Sequence, residues 1–509
     1  MTLPAFPARL NLADYFLFDR LKEGRGEHPA ILSGDRAWTY AQVAGEARRA
    51  AGAFRESGIL PGERFLVCLP DGPEFAFAWF GGIAAGGVGA MVNPLLPPKD
   101  YAYYLEYTEA RILVLHASLL EKLEDVLKGT RHLKAVFVAG GPPGRHTDFA
   151  AARAGATPLP ETHPSRAEDP ALWLFTSGST GEPKGAVHRH RDFAFNTEVF
   201  AKRTIGIRQD DRTLSVPKLF FGYATGTNLM FPFSVGATTC LFPERATAEE
   251  MYRQIARFSP TVLTTVPTMI NAMLQAPEAA SADLSGLRFA FSAGEALPPE
   301  LYHRWMKRFG VALYDGIGSA EMFHIYISNR PGDVTPGSLG KLVEGYQARI
   351  RSPGGQDLPD GETGTLWIGG PTAAIGYWKA PGKSAEVFHH TPGGSWVNTG
   401  DQFRRDPEGR FWYAGRADDM LKVGGVWVAP AEIENCLLQH PDVAEAAVVG
   451  FAEEGLVKPR AYVVLKPGAA ATEVQIQDFV KRKIAPYKYP REVVFRESLP
   501  KNDRGKLDR

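Results

Sequence analysis

Thr176-Ser177-Gly178-Ser179-Thr180-Gly181-Glu182-Pro183-Lys184-Gly185 follows directly on the apolar run Ala171-Leu172-Trp173-Leu174-Phe175. A short apolar run bounded by turn residues reads as a buried strand. The ten residues behind it are mostly small or hydroxylated. Glycine lets backbone N–H groups turn toward an anion with no Cβ in the way. The Ser and Thr hydroxyls add donors and Lys184 adds charge, which is chemistry suited to nucleotide phosphates. No G-x-x-x-x-G-K-[ST] pattern occurs, so this is not a Walker loop. A flexible Ser/Gly linker would have the same composition, and the rest of the chain must decide.

Upstream, helical and strand-like stretches alternate. A helix is predicted from Trp38-Thr39-Tyr40 through Ala53. Strands are predicted at 64–69, 111–115 and 134–139, a pattern of parallel βαβ units. Residues 140–170 are rich in Gly, Pro and Ala and read as a connecting loop. Downstream, strands near 213–216, 238–242, 262–266 and 289–291 predict a second α/β sheet. From about 334 the strands shorten and turn signals multiply: Ser352-Pro353-Gly354-Gly355, Pro359-Asp360-Gly361 and Asp406-Pro407-Glu408-Gly409. This predicts a small antiparallel unit, a distorted β-barrel. After Gly415 come a helix over 431–440, strands near 446–449 and 461–465, and a helix over 474–483. The expected architecture is α/β: two α/β sheets plus the barrel in residues 1–416, then a smaller mobile α+β domain in 417–509.

The bulk properties narrow the partners. Lys plus Arg equals Asp plus Glu at 57 each in 509 residues, which argues against a nucleic-acid binder and against wholesale membrane attachment. Residues 75–92 carry no charge over 18 positions, long enough to raise a membrane span. Five glycines and the stop at Asn93-Pro94 favour a buried helix running into a buried strand. Cys68, Cys240 and Cys436 are few and far apart, which suits free thiols in a reducing compartment. No apolar signal core precedes Leu10, and the expected location is cytoplasmic. The last 31 residues hold ten Lys/Arg against four Asp/Glu. That excess suits an anionic ligand such as a nucleotide or coenzyme A, or simply a basic solvated surface.

Taken together, the motifs resemble those of the adenylate-forming superfamily of acyl-CoA synthetases, adenylation domains and luciferases. The Thr176–Gly185 stretch is similar to its phosphate loop. Asp315-Gly316-Ile317-Gly318-Ser319-Ala320-Glu321 resembles its second signature, and Asn398-Thr399-Gly400-Asp401 its ribose-binding segment. The stretch 415–425 resembles its hinge segment, and 500–506 its terminal lysine motif. These five motifs occur in family order and span essentially the whole chain.

The resemblance implies an ATP-dependent ligase with Mg²⁺ and coenzyme A. It implies that Lys506 neutralises charge at the α-phosphate, that Glu321 holds Mg²⁺, and that Thr176 and Lys184 share in catalysis. ATP is then held by Thr176, Ser177, Gly178, Ser179, Thr180 and Lys184. Gly294, Glu295, Asp315, Gly316, Ile317, Gly318, Ser319, Asp401 and Arg416 complete that site. Asp418 becomes the hinge, with Gly424 and Gly425 beside the pantetheine chain.

Two positions depart from the pattern. Ala320 stands where the family usually has a hydroxyl, and Ser319 or Thr176 is expected to compensate. Ile317 replaces an aromatic on the adenine side.

The segments 217–223 and 321–333 resemble the aryl branch, closest to benzoate-CoA ligases. Phe220, Phe221 and Tyr223 with Gly222 can form a flat apolar slot. The expected acid-binding set is Phe221, Gly222, Tyr223, Ala224, Ala293, Gly294, Gly318, His324 and Ile325. The same aromatics would also suit plain core packing. His324 either reads a ring substituent or is a satisfied core histidine. The implied substrate is benzoate or a substituted benzoate such as anthranilate. A stand-alone enzyme loading the acyl group onto a carrier-protein pantetheine would share the first half-reaction; the absence of a fused carrier domain after Arg509 favours free coenzyme A. A luciferase-like oxygenase and a catalytically silent binder are weaker alternatives, the latter supported only by Ala320.

Overall fold

Apolar runs become strands here because helices cover both of their faces. The structure, a computed structural model, describes residues 2–176, 182–416, 420–423, 426–453, 456–485 and 488–501. A seven-stranded sheet runs in the spatial order 147–148, 135–139, 112–116, 64–68, 88–91, 170–176, 184–189. It is parallel except for its last pair. A nine-stranded sheet follows the order 341–342, 325–328, 312–318, 289–292, 262–265, 212–215, 238–241, 29–33, 36–39. It is parallel between 312–318 and 29–33 and antiparallel at both ends.

Strand 29–33 joins this second sheet beside 238–241, with Ile31 opposite Thr239. Alternation along the chain would have put it in the first. One apolar core serves both sheets, taking in Phe65, Val67 and Leu174 from the first and Ile31, Phe291 and Ile325 from the second.

The charge-free stretch divides as expected, into the helix Pro73–Ala84 and the strand Val88–Met91, both buried. Its glycines answer to packing. A Cβ on Gly81 would lie 2.6 Å from the Ala50 Cβ of the helix Tyr40–Glu56, and one on Gly82 would lie 2.3 Å from the Phe65 ring. Among the described residues no helix is long and apolar enough to cross a membrane. The expected loop over 140–170 is corrected in part. It holds the strand Thr147–Asp148 and the helix Phe149–Gly155, whose first turn the Asp148 side chain caps at Ala151 N–H, 2.7 Å. The alanines there lie in a helix, where their propensity is highest.

The small antiparallel unit is a five-stranded sheet. In it the long strand Gly394–Arg405 pairs with three others, at 363–369, 388–391 and 411–416. Further on, Val443–Glu453 and Leu456–Leu465 pair antiparallel, and Glu492–Phe495 adds parallel to the latter. The helices Pro430–Leu437 and Glu473–Lys483 supply Ile433, Leu437, Ile476 and Val480 to a core separate from the first. Thr472 and Gln475 cap the second helix reciprocally. All three cysteines are free and buried, and burial pushes the Cys68 and Cys240 thiols up to about 12.

Candidate active site

In open parallel sheets, ligands gather where the strands end at their carboxyl edges. The motifs fall there. Strand 170–176 ends at Thr176, strand 289–292 leads into Ala293-Gly294-Glu295, and strand 312–318 leads into Ser319-Ala320-Glu321. The segment after strand 212–215 carries Phe220, Phe221 and Tyr223.

Thr176 and Lys184 are direct cross-strand partners, so the strand register brings both ends of the phosphate-loop segment together. Two stacked tyrosines of the helix Pro98–Thr108 clasp the returning end. Tyr103 donates to the Pro183 carbonyl at 2.7 Å. Tyr107 accepts the Gly185 N–H at 3.3 Å and donates to the Trp378 carbonyl at 2.5 Å.

Glu321 is held from two sides. The Ala374 N–H donates to its carbonyl at 2.9 Å, and the Tyr377 hydroxyl donates to Oε1 at 2.6 Å. Burial and the neighbouring Glu321 charge push the Tyr377 phenol up, which keeps it a donor. Among the described residues no three His, Cys, Asp or Glu side chains are grouped to cage a metal. A lone, partly exposed carboxylate suits a hard cation that brings phosphate and water oxygens with it, as Mg²⁺ does. The pairing register places three residues, 399–401, between the partners of Thr365 and Trp367, where a regular pairing would have one. Gly400 takes φ +71° in this bulge, and the Thr399 hydroxyl accepts the Asp401 N–H at 3.1 Å. Asp401 thus has no partner on strand 363–369 but stays paired with Arg416, whose guanidinium meets its carboxylate at 3.2 Å.

The Tyr326 phenol lies near both carboxylates without hydrogen-bonding to either. It is fully buried, and the Asp401 and Glu321 charges add to the burial that pushes its phenol up. The Ser319 hydroxyl lies beside it, in the same shell as the Ala320 position where a hydroxyl is missing. Asp315 is buried and accepts the Leu297 N–H at 3.2 Å, and burial pushes its carboxyl well up. The Thr268 hydroxyl donates to Glu295 at 2.8 Å. A Cβ on Gly316 would lie 2.9 Å from the Ile327 carbonyl, and the Ile317 side chain packs against the core.

The aromatic segment is partly spent on the fold. Tyr223 donates to the Phe291 carbonyl at 3.0 Å, and Phe220 and Phe221 face each other at 4.5 Å. Gly222 lies against Leu174, and Ala224, Ala293 and Ile325 are buried. Gly318 is obligatory, since a Cβ there would stand 2.5 Å from the His324 backbone. His324 is 3 % exposed, ringed by Phe200, Tyr223, Phe231 and Phe323. Its Nε2 faces the Tyr223 carbonyl at 3.1 Å and so carries the proton, while Nδ1 is buried without a hydrogen-bond partner.

Burial drives the imidazoles of His190 and His324 down to about 4 from an ordinary 6.5. Between those pH values the unfolded chain binds protons that the folded chain refuses. Stability is therefore full above about 6.5 and falls as pH drops toward 4, by at most about 3 kcal/mol per histidine. The melting temperature between pH 7 and 4.5 should decline accordingly. A flat response would show that these imidazoles protonate in place.

Ser177, Gly178, Ser179, Thr180, Asp418, Gly424, Gly425 and Lys506 lie outside the described residues. Sequence reading missed Tyr377, Tyr326, Tyr103 and Tyr107. Tyr377 is 56 positions from Glu321, and no spacing rule connects them.

The AMP-binding enzyme family model matches residues 18–378, and the AMP-binding enzyme C-terminal domain matches 432–506. The benzoate–CoA ligase of Thauera aromatica is 41% identical over 509 residues, which is 99% of this chain and 95% of that protein. The structure of the anthranilate CoA ligase AuaEII in complex with anthranoyl-AMP superposes with TM-score 0.94 at 38% identity, covering 99% of this chain and 96% of that one. A benzoate CoA ligase from Burkholderia xenovorans gives TM-score 0.89 at 39% identity, over 98% of each chain. With both parts of its family present in order around one constellation of carboxylates and backbone glycines, this chain belongs to the AMP-binding enzymes, in the aryl-CoA ligase branch.

Proposed function

We propose that this enzyme activates an aromatic carboxylic acid with ATP as the acyl-adenylate and passes the acyl group to coenzyme A. The observation that carries this is the wall made by half-buried Tyr223 and Gly318 against buried His324, with Gly318 and His324 each three positions from Glu321, in a chain 41% identical to a benzoate–CoA ligase.

The acid lies between Phe221, Gly222, Tyr223 and Ala224 on one side and Ala293, Gly294, Gly318, His324 and Ile325 on the other. Thr176 to Thr180 and Lys184 hold the phosphates. Glu295 and Asp315 to Ser319 flank the base, and Asp401 with Arg416 takes the ribose. Glu321, oriented by Tyr377, would hold Mg²⁺, which when bound neutralises phosphate charge. The acid's carboxylate attacks the α-phosphate and pyrophosphate leaves, with Lys506 countering the charge that accumulates. The unit from 417 onward then turns about Asp418, Gly424 and Gly425 admit the pantetheine, and the coenzyme A thiolate attacks the adenylate carbonyl. AMP leaves.

Coenzyme-A-dependent AMP release with benzoate, 2-aminobenzoate, hydroxybenzoates, cinnamate, acetate and octanoate tests the reading. A dominant small aryl acid sustains it. Reaction with aliphatic acids alone overturns the slot, and adenylation without thioester points to a carrier-protein pantetheine as acceptor.

The unpartnered Nδ1 acceptor of His324 suits a ring substituent that donates, such as the amino group of anthranilate or a hydroxyl. His324→Phe should therefore lower kcat/KM for 2-aminobenzoate about tenfold, the value of one hydrogen bond, and leave benzoate within about threefold. Equal losses for both acids would remove His324 from substrate reading.

A further inference from the structure

His188 and Asp192 form a fully buried couple that no motif announces. His188 stands on the strand Lys184–Arg189, which leaves the phosphate loop, and both side chains have no exposed surface. Its Nε2 lies 2.6 Å from the Ala320 carbonyl, and its Nδ1 lies 3.3 Å from Asp192 Oδ2. Asp192 is fixed in turn: its Oδ2 accepts the Arg189 N–H at 2.9 Å, and Arg189 and Arg191 approach the carboxylate at 3.7 and 3.8 Å. Phe193 and Phe323 wall the imidazole at 5.6 and 6.4 Å between centroids. Burying a charged or polar couple this deeply is costly unless each group is paired. The Ala320 carbonyl belongs to the peptide that carries the Glu321 nitrogen. Glu321 is pinned beyond that peptide by Ala374 and Tyr377. The His188 bond therefore ties the strand bearing Lys184 directly to the peptide bearing Glu321.

We infer that His188, oriented by Asp192, is a positioning residue that sets the Glu321 carboxylate in register with the strand bearing Lys184. This rests on the role proposed above for Glu321. Side-chain geometry supplies the test: Gln can place its amide N–H near the His Nε2 position, and Asn can reach only the Nδ1 side.

Pyrophosphate exchange with benzoate, thioester formation from supplied benzoyl-adenylate, and calorimetric affinity for Mg-ATP are measured on the full chain. His188→Asn is expected to slow exchange about 30-fold and weaken Mg-ATP several-fold, as for loss of one buried hydrogen bond with a misplaced carboxylate. The KM for benzoate and thioester formation should stay within about twofold. His188→Gln should recover exchange to within about threefold at the same melting temperature. Equal behaviour of the two variants, or equal loss in both half-reactions, overturns the inference. If His188→Asn fails to fold, Asp192→Asn should show the same selective loss at smaller size, and a loss in both halves overturns it. If the wild type adenylates no aryl acid, the functional proposal fails instead. Mg-ATP affinity still decides this one, being weakened in His188→Asn and spared in His188→Gln.

Discussion

Replacing Lys506 by Ala is expected to slow adenylation about 10³-fold or more while leaving thioester formation from supplied adenylate within a few-fold. The attacking carboxylate and the α-phosphate are both anions, and their approach crowds negative charge into a poorly solvated space. A fixed cation there lowers the barrier by about 4 kcal/mol, which is about 10³ in rate. The second half-reaction brings a thiolate to a neutral carbonyl and releases AMP, so it has no such need. Pyrophosphate exchange reads the first step, and thioester formation from benzoyl-adenylate reads the second. Equal loss in both would refute the role assigned to Lys506.

Glu321→Gln carries the second large effect. The amide oxygen can still accept the Tyr377 hydroxyl, which donates to Glu321 Oε1 at 2.6 Å, so packing is preserved and the change is one of charge. In the proposed role, the hard cation loses a carboxylate ligand. Exchange is expected to fall about 10²- to 10³-fold, with half-saturating Mg²⁺ raised at least about tenfold. Tyr377→Phe leaves the charge and removes only its orientation, so its loss should be about tenfold, one charge-assisted hydrogen bond. If Glu321→Gln shifts the acid KM and leaves the Mg²⁺ requirement unchanged, the carboxylate serves the acid slot instead.

The sequence by itself determined many of the strands and the motifs. Runs such as 64–68, 112–116 and 170–176 are apolar because helices cover them on both faces, and that burial is written locally in residue type. The glycines and hydroxyls proposed to hold the phosphates are legible for the same reason, since phosphate recognition uses backbone geometry over a few consecutive residues. The α/β class with a small antiparallel unit and a separate terminal domain follows from those patterns. Family membership follows from five motifs in order.

Only the tertiary structure decided what depends on register between distant segments. Strand 29–33 lies beside 238–241, and a period along the chain carries no record of its partner. The helix Phe149–Gly155 is short, and its Gly- and Pro-rich flanks hid it until Asp148 was seen to cap it. His324 had two readings in the sequence. Its Nε2 donates to the Tyr223 carbonyl and its buried Nδ1 makes no hydrogen bond, an arrangement that local sequence does not record. Tyr377 on Glu321 and His188 on Ala320 are single hydrogen bonds spanning 56 and 132 positions. Such bonds exist because two sheets share one core and bring strand ends together, a consequence of packing that local sequence cannot encode.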